Sequence, residues 1–160
     1  MASRRRIVLV LITGMLVLAS VIGLMFKTEV LERQQRDVAD PPSGAAPEEI
    51  VRTYTDSLDA HDCATAREVW VRDERGSADG WCDDVASLAN VRIGKPFRVS
   101  PRFSGRQPGE QVVDVAVTFD LRWRPLHDDG SLDDGSTSWG YELVRDSPDD
   151  AWRIFSQGTG

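Results

Sequence analysis

The chain has 160 residues, enough for one ordinary domain, and its 28% charged and 41% hydrophobic content is that of a folded protein rather than a disordered one. Its net charge of −7 is uneven: setting aside Arg4, Arg5, Arg6 and Lys27 at the start, and the net −2 of residues 28–46, leaves −9 for residues 47–160. That excludes the basic footprint that nucleic acid requires, disfavours an anionic lipid surface, and is most simply a device for solubility.

Residues 1–6 read as a basic cytoplasmic tail. From Ile7 to Phe26, IVLVLITGMLVLASVIGLMF is twenty residues without a charge, long enough at about 1.5 Å per residue to cross a hydrocarbon core of about 30 Å. The run reads as a transmembrane signal-anchor helix. The alternative is a cleaved secretory signal peptide, but Val17-Leu18-Ala19 and Val21-Ile22-Gly23 are only passable cleavage sites. No cysteine lies near the run, which excludes a lipoprotein anchor. The arginines precede it and only Lys27 follows closely, so the positive-inside rule places the N-terminus in the cytoplasm and the rest outside. Under either reading the later residues are extracytoplasmic.

Residues 27–46 form a tether. Lys27–Val38 mixes charge with Val30, Leu31 and Val38 and extends the membrane helix, while ADPPSGAA (39–46) has linker composition. The domain then runs over residues 47–160. Pro47 suits a first helical turn, with Glu48 and Glu49 where the helix dipole favours anions. Ile50, Val51, Tyr54 and Leu58 form one apolar stripe. Ala60-His61-Asp62 breaks the helix, Asp62 caps a second one, and Cys63, Ala66, Val69 and Trp70 mark its buried face.

Arg72–Gly80 reads as a loop. Trp81, Cys82, Val85 and Leu88 follow at the spacing of a short third helix. Cys63 and Cys82 are an even pair in an oxidising compartment, which predicts a disulfide. Phe97–Phe103 reads as an edge strand interrupted by Pro101, and Gly105–Gly109 as a turn. Val113, Val115, Val117, Phe119, Leu121 and Trp123 then alternate with Asp114, Ala116, Thr118, Asp120, Arg122 and Arg124, the pattern of a long half-buried antiparallel strand. Pro125–Gly135 is a polar loop. Trp139, Tyr141 and Leu143 make another strand, Asp146–Asp150 a turn, and Trp152, Ile154 and Ser156 a last strand. Helices followed by antiparallel strands predict an α+β fold with the helices on one face of a sheet.

This order, with the break at SLDAHD, the cysteine-bearing second helix and the closing WRIFSQGTG, resembles the nuclear transport factor 2-like superfamily over residues 47–160. The resemblance implies a cone-shaped curved sheet packed against three helices, with a pocket between. It also implies kinship with small anchored or secreted bacterial members, actinobacterial ones especially, that act as assembly or accessory subunits. The superfamily includes ketosteroid isomerases, whose first-helix tyrosine falls at Tyr54. Their reaction needs a carboxylate base and a protonated acid donor as well. Only Asp83 and Asp84 stand between the third helix and first strand, and the donor's approximate place holds Gly140 or Tyr141, so no catalytic residue is assigned.

His61 and His127 stand in predicted loops without the partners of a zinc site, and they read as solvated. There is no G-x-S-x-G elbow and no glycine-rich phosphate loop. In HDDGSLDDG, Asp129, Ser131 and Asp133 alternate as in a calcium loop, but Asp134 replaces the glycine at position 6 and Gly140 the glutamate at position 12. A solvated hairpin loop is the better reading, and neither metal nor cofactor is expected. Tyr54, Trp70, Trp81, Phe119, Trp123, Trp139, Tyr141 and Trp152 are expected to line the space between sheet and helices, as core or as an apolar ligand pocket. The functional expectation is a non-enzymatic, membrane-anchored module acting on a membrane or cell-envelope protein partner. The alternatives are binding of a lipid or cell-wall precursor and, last, an isomerase or cyclase.

Overall fold

Residues 35–127 and 132–159 are described by the structure, a computed structural model. The apolar run 7–26 lies outside them; among the described residues no helix is long and apolar enough to cross a membrane. Helix α1 (Pro47–Ala60) starts on Pro47, and Glu49 Oε2 accepts the Ala46 N–H at 2.8 Å, satisfying a backbone donor at the helix start. Ile50, Val51, Tyr54 and Leu58 all point into the core, as their spacing predicts. The helix ends at His61, whose left-handed φ of 54° lets the Asp62 N–H reach the Ser57 carbonyl at 2.9 Å.

Asp62 caps helix α2 (Cys63–Glu68) by accepting the Thr65 N–H at 3.2 Å. A 3-10 turn (Arg72–Glu74) leads into helix α3 (Arg75–Asp84), so much of the segment expected as a loop is helical. The predicted Cys63–Cys82 disulfide is present and joins the start of α2 to the end of α3. With a sequence separation of 19 residues, its closure contributes about 3 kcal/mol in the chain-entropy account.

The expected third helix is misplaced. It ends at Asp84, and Val85 and Leu88 belong instead to strand β1 (Val85–Ile93). A bulge between Val85 and Ser87 explains the error. It shifts register so that Val85 faces Trp123 and Leu88 faces Leu121, placing residues three apart on one face of a strand. Strand β2 (Phe97–Val99) is shorter than expected and gives way to a turn at Pro101. Between β1 and β2 the Gly94 N–H donates to the Ala116 carbonyl at 2.7 Å, and a Cβ at Gly94 would lie 2.9 Å from that oxygen, so only glycine fits there.

Strands β3 (Gln111–Trp123), β4 (Gly135–Arg145) and β5 (Arg153–Gly158) complete a five-stranded antiparallel sheet, with β1 and β2 both on one side of β3 and β4 and β5 following on the other. The fold is α+β. The β3–β4 ladder runs without a break from Gln111↔Arg145 to Leu121↔Gly135. At the far side, Ile154 of β5 exchanges backbone bonds of 2.9 Å with Val69 and Val71, which joins the end of α2 to the sheet.

The compact unit begins at Gln35, upstream of the first helix. The Arg36 N–H donates to the Ala60 carbonyl at 2.9 Å, and the Val38 N–H to Asp62 Oδ2 at 2.9 Å. Thr65 Oγ1 donates back to the Val38 carbonyl at 3.4 Å, and Ala45 is buried. Residues 35–46, read from composition as the end of a tether, thus lie as a strap along the helices.

Candidate functional site

Alternation along β3 and β4 turns Phe119, Trp123, Trp139 and Tyr141 toward the helices, and the α1 stripe brings Tyr54 to meet them. All eight residues expected to line the interior are buried. They form two groups of rings. Trp81 of α3 lies edge-on to Phe119 at 6.3 Å and Trp123 at 5.4 Å, and tilted against Trp139 at 5.4 Å. Tyr54 lies edge-on to Trp70 at 5.6 Å and to Tyr141 at 5.5 Å. These are favourable aromatic geometries. Trp152 stands apart from both groups, with the Arg145 guanidinium 4.5 Å above its ring.

Polar atoms in this interior are left without partners. Tyr54 Oη, Trp70 Nε1, Trp139 Nε1 and Tyr141 Oη are all buried and make no hydrogen bond, and neither does Gln157 Oε1, on the β5 residue opposite Tyr141. Burial pushes the Tyr54 phenol well above its ordinary range, and the neighbouring Tyr141 adds to the shift. The Trp70 indole opposes it weakly without reaching hydrogen-bond geometry. Burial likewise raises Tyr141. Both phenols therefore stay protonated at neutral pH, able to donate a hydrogen bond and unable to act as bases. The structure sets Tyr54 against Tyr141, one of the two residues at the donor's approximate place in the isomerase comparison. The acid among the groups that shift Tyr54 is Asp79, the weakest of them.

The two histidines are not simply solvated. Arg124 Nη2 lies 3.1 Å from His61 Nδ1, at the left-handed corner between α1 and α2. His127 stacks on Trp123 with centroids 5.1 Å apart. Asp129 and Ser131 of the calcium-like loop lie outside the described residues. Asp134 Oδ1, at the position where a calcium loop demands glycine, accepts the Trp123 N–H at 2.8 Å, and Trp123 Nε1 donates to the Leu132 carbonyl at 2.8 Å. Among the described residues no group of three or more acids, histidines or cysteines could hold a metal.

Cavities among the described residues also lie outside the aromatic interior. One of about 160 Å³ is bordered by Arg98, Glu110, Arg145 and Trp152. There Arg145 is already engaged, donating Nε and Nη2 to Gln111 Oε1 at 3.0 and 2.8 Å and Nη1 to the Pro148 carbonyl at 2.9 Å. Another, about 390 Å³, lies between the strap and the body, against Ile50, Val69 and Arg153. Sequence reasoning missed it because the strap reads as linker. Asp62 does more than cap α2: burial alone would raise its carboxyl, but hydrogen bonds from the Val38, Thr65 and Ala64 N–H groups and the Thr65 side chain outweigh burial and hold it below the ordinary range.

Three large apolar side chains are exposed among the described residues: Phe97 at 57%, Phe103 at 88% and Leu126 at 93%. Phe97 opens β2, on the edge of the sheet, and Phe103 lies in the turn that follows it. No protein-family model matches the sequence, and no curated protein matches it either. Among solved structures the chain is similar to the solution structure of a SEC-C motif containing protein from Rhodopseudomonas palustris, at 13% identity and a TM-score of 0.44, over 74% of this chain and 82% of that one. A likeness of that size carries no argument about function.

Proposed function

We propose that the protein is a membrane-anchored, extracytoplasmic module of the nuclear transport factor 2-like kind, with its sheet curved into a cone, which works by binding a membrane or cell-envelope protein. The observation that carries this reading is where the aromatic side chains lie. Trp81, Phe119, Trp123 and Trp139 spend their faces and edges on one another, while Phe97 and Phe103 stand exposed at the sheet edge. An apolar partner face would take up those two rings. The Cys63–Cys82 bridge suits an oxidising compartment outside the cytoplasm. A tether to the bilayer would raise the effective concentration of the module near other membrane proteins.

The test is cross-linking in intact cells with the full chain, then mass spectrometry of what is captured, against a control carrying only residues 1–46. The reading expects specific envelope partners that are lost in a Phe97→Ser, Phe103→Ser double variant whose thermal stability is unchanged. Capture of the same background by both chains would end it.

A second reading, an apolar ligand held among the aromatic residues, is favoured by the unpaired Tyr54, Trp70 and Tyr141 polar atoms, which a ligand or ordered water would satisfy. An isomerase or cyclase ranks below both, because the Tyr54–Tyr141 pair supplies donors without a base.

A further inference from the structure

The larger cavity combines three features that suit one kind of ligand. Its volume of about 390 Å³ falls in the range of small-molecule sites, roughly 300–1,000 Å³. Its floor is apolar: Ile50, Val69 and Ala45 are buried beneath it, and Pro41, Pro42 and Ala151 present the accessible apolar surface. The third feature is Arg153, the first residue of β5, half-buried at the cavity wall.

Arg153 takes no part in the ion pairs among the described residues, which join Arg36 to Asp59, Arg67 to Asp79, Arg75 to Glu68 and Arg106 to Glu110. Its Nη1 donates to the Trp152 carbonyl at 3.1 Å, which uses one of a guanidinium's five N–H donors. Glu68, one of the two acids in the lining, is committed to Arg75 at 2.9 Å. In a strongly acidic domain, a cation left unpaired beside an apolar wall marks a place for an anion carried on an apolar body.

We propose that this cavity binds a small organic carboxylate, its charge paired with Arg153 in the two-pronged geometry that a guanidinium offers and its apolar body against Pro41, Pro42 and Ala151. Asp40 at the strap side adds negative charge and excludes polyanions. Because the strap forms one wall, and is pinned through Val38 to Asp62, an occupied site also holds residues 40–45 against the body. The site is separate from the Phe97 and Phe103 edge and does not depend on the interaction reading.

The test uses the full chain in mild detergent, with N-acetyl-leucine as the carboxylate probe and N-acetyl-leucinamide as its uncharged counterpart, followed by saturation-transfer NMR titration. A leucine-terminated tetrapeptide with a free or amidated C-terminus tells whether a peptide end serves as well as a free small acid. The expected result is binding of the acid with at least a tenfold preference over the amide. Arg153→Gln should remove that preference and weaken the acid by about tenfold, the scale of a charge-assisted hydrogen bond. Ala151→Trp, an exposed position on the cavity rim, should block both probes while leaving thermal stability unchanged. Equal binding of acid and amide, unchanged binding in Arg153→Gln, or no binding of either probe to the folded chain would each overturn the proposal.

Discussion

The β3–β4 ladder has two faces made from the same backbone bonds, and they solve opposite problems. On the inner face Val113, Val115, Val117 and Phe119 oppose Leu143, Tyr141, Trp139 and Thr137. Burial there is so complete that Tyr141 Oη and Trp139 Nε1 lose every partner. On the outer face Asp114 opposes Glu142, Ala116 opposes Gly140 and Thr118 opposes Ser138. Like charges directly opposite each other destabilise a sheet, and burial together with Glu142 pushes the Asp114 carboxyl above its ordinary range. Part of that strain is relieved by the turn after β2, whose Ser104 Oγ donates to Glu142 Oε1 at 2.6 Å. The inner face thus accepts unsatisfied polar atoms in exchange for apolar area, and the outer accepts repulsion in exchange for solubility.

The strongest test of the inner face is Trp81→Ala. Trp81 touches Phe119, Trp123 and Trp139, so its loss should cost about 4 kcal/mol, read as a lower urea midpoint. A loss under about 1 kcal/mol would mean that the interior is loosely filled, which would favour the ligand reading. Next is the paired Cys63→Ala, Cys82→Ala variant, which frees the helix layer that closes this face. It should lose about 3 kcal/mol, and the same loss should appear when the wild-type chain is melted in reductant.

The phenols should respond with the opposite sign. Tyr54→Phe and Tyr141→Phe each remove a buried hydroxyl that has no partner, so each should raise stability by about 1 kcal/mol or less. Destabilisation in either variant would show that its hydroxyl is bonded to water or ligand.

The smallest effect belongs to the outer face. Because the Asp114 carboxyl is raised in the folded chain, its destabilising charge is fully present at neutral pH. It fades as pH falls through the folded pKa and is gone below the ordinary value of 3.8. Asp114→Asn should therefore stabilise by about 0.5 kcal/mol at pH 7, softened by solvent screening, and match wild type below that value. Denaturation curves at pH 7 and pH 3 decide it. Asp62 has the opposite sign: its carboxyl is depressed, so its contribution is present above 3.8 and is lost as pH falls further.

Much of this was legible before any coordinates. The α1 stripe Ile50, Val51, Tyr54 and Leu58 and the alternation from Val113 to Trp123 are local periodicities, and the backbone follows them. Segments whose partners lie far away in the chain were not legible. Val85 and Leu88 carry helical spacing, and only pairing with Leu121 and Trp123 across a bulge makes them a strand. Val38 reads as the end of the segment that extends the membrane helix until Asp62, twenty-four positions later, accepts its N–H. The cavity at Arg153 needs the strap, α1 and β5 in place together, and no sequence motif marks it.

What the sequence by itself determined is whatever short-range patterning sets: the α+β order of elements, the apolar faces of α1 and β3, the start of α1 at Pro47 and the cap of α2 at Asp62, and the pairing of the two cysteines. Tertiary structure alone decided which polar atoms end without partners, where the strap docks, that Trp152 sits under Arg145, and that Arg153 is left without an acid among the described residues. The physical reason is range. Periodicity and capping act within about four residues and are written in the chain, whereas burial and charge pairing depend on neighbours that only folding brings together.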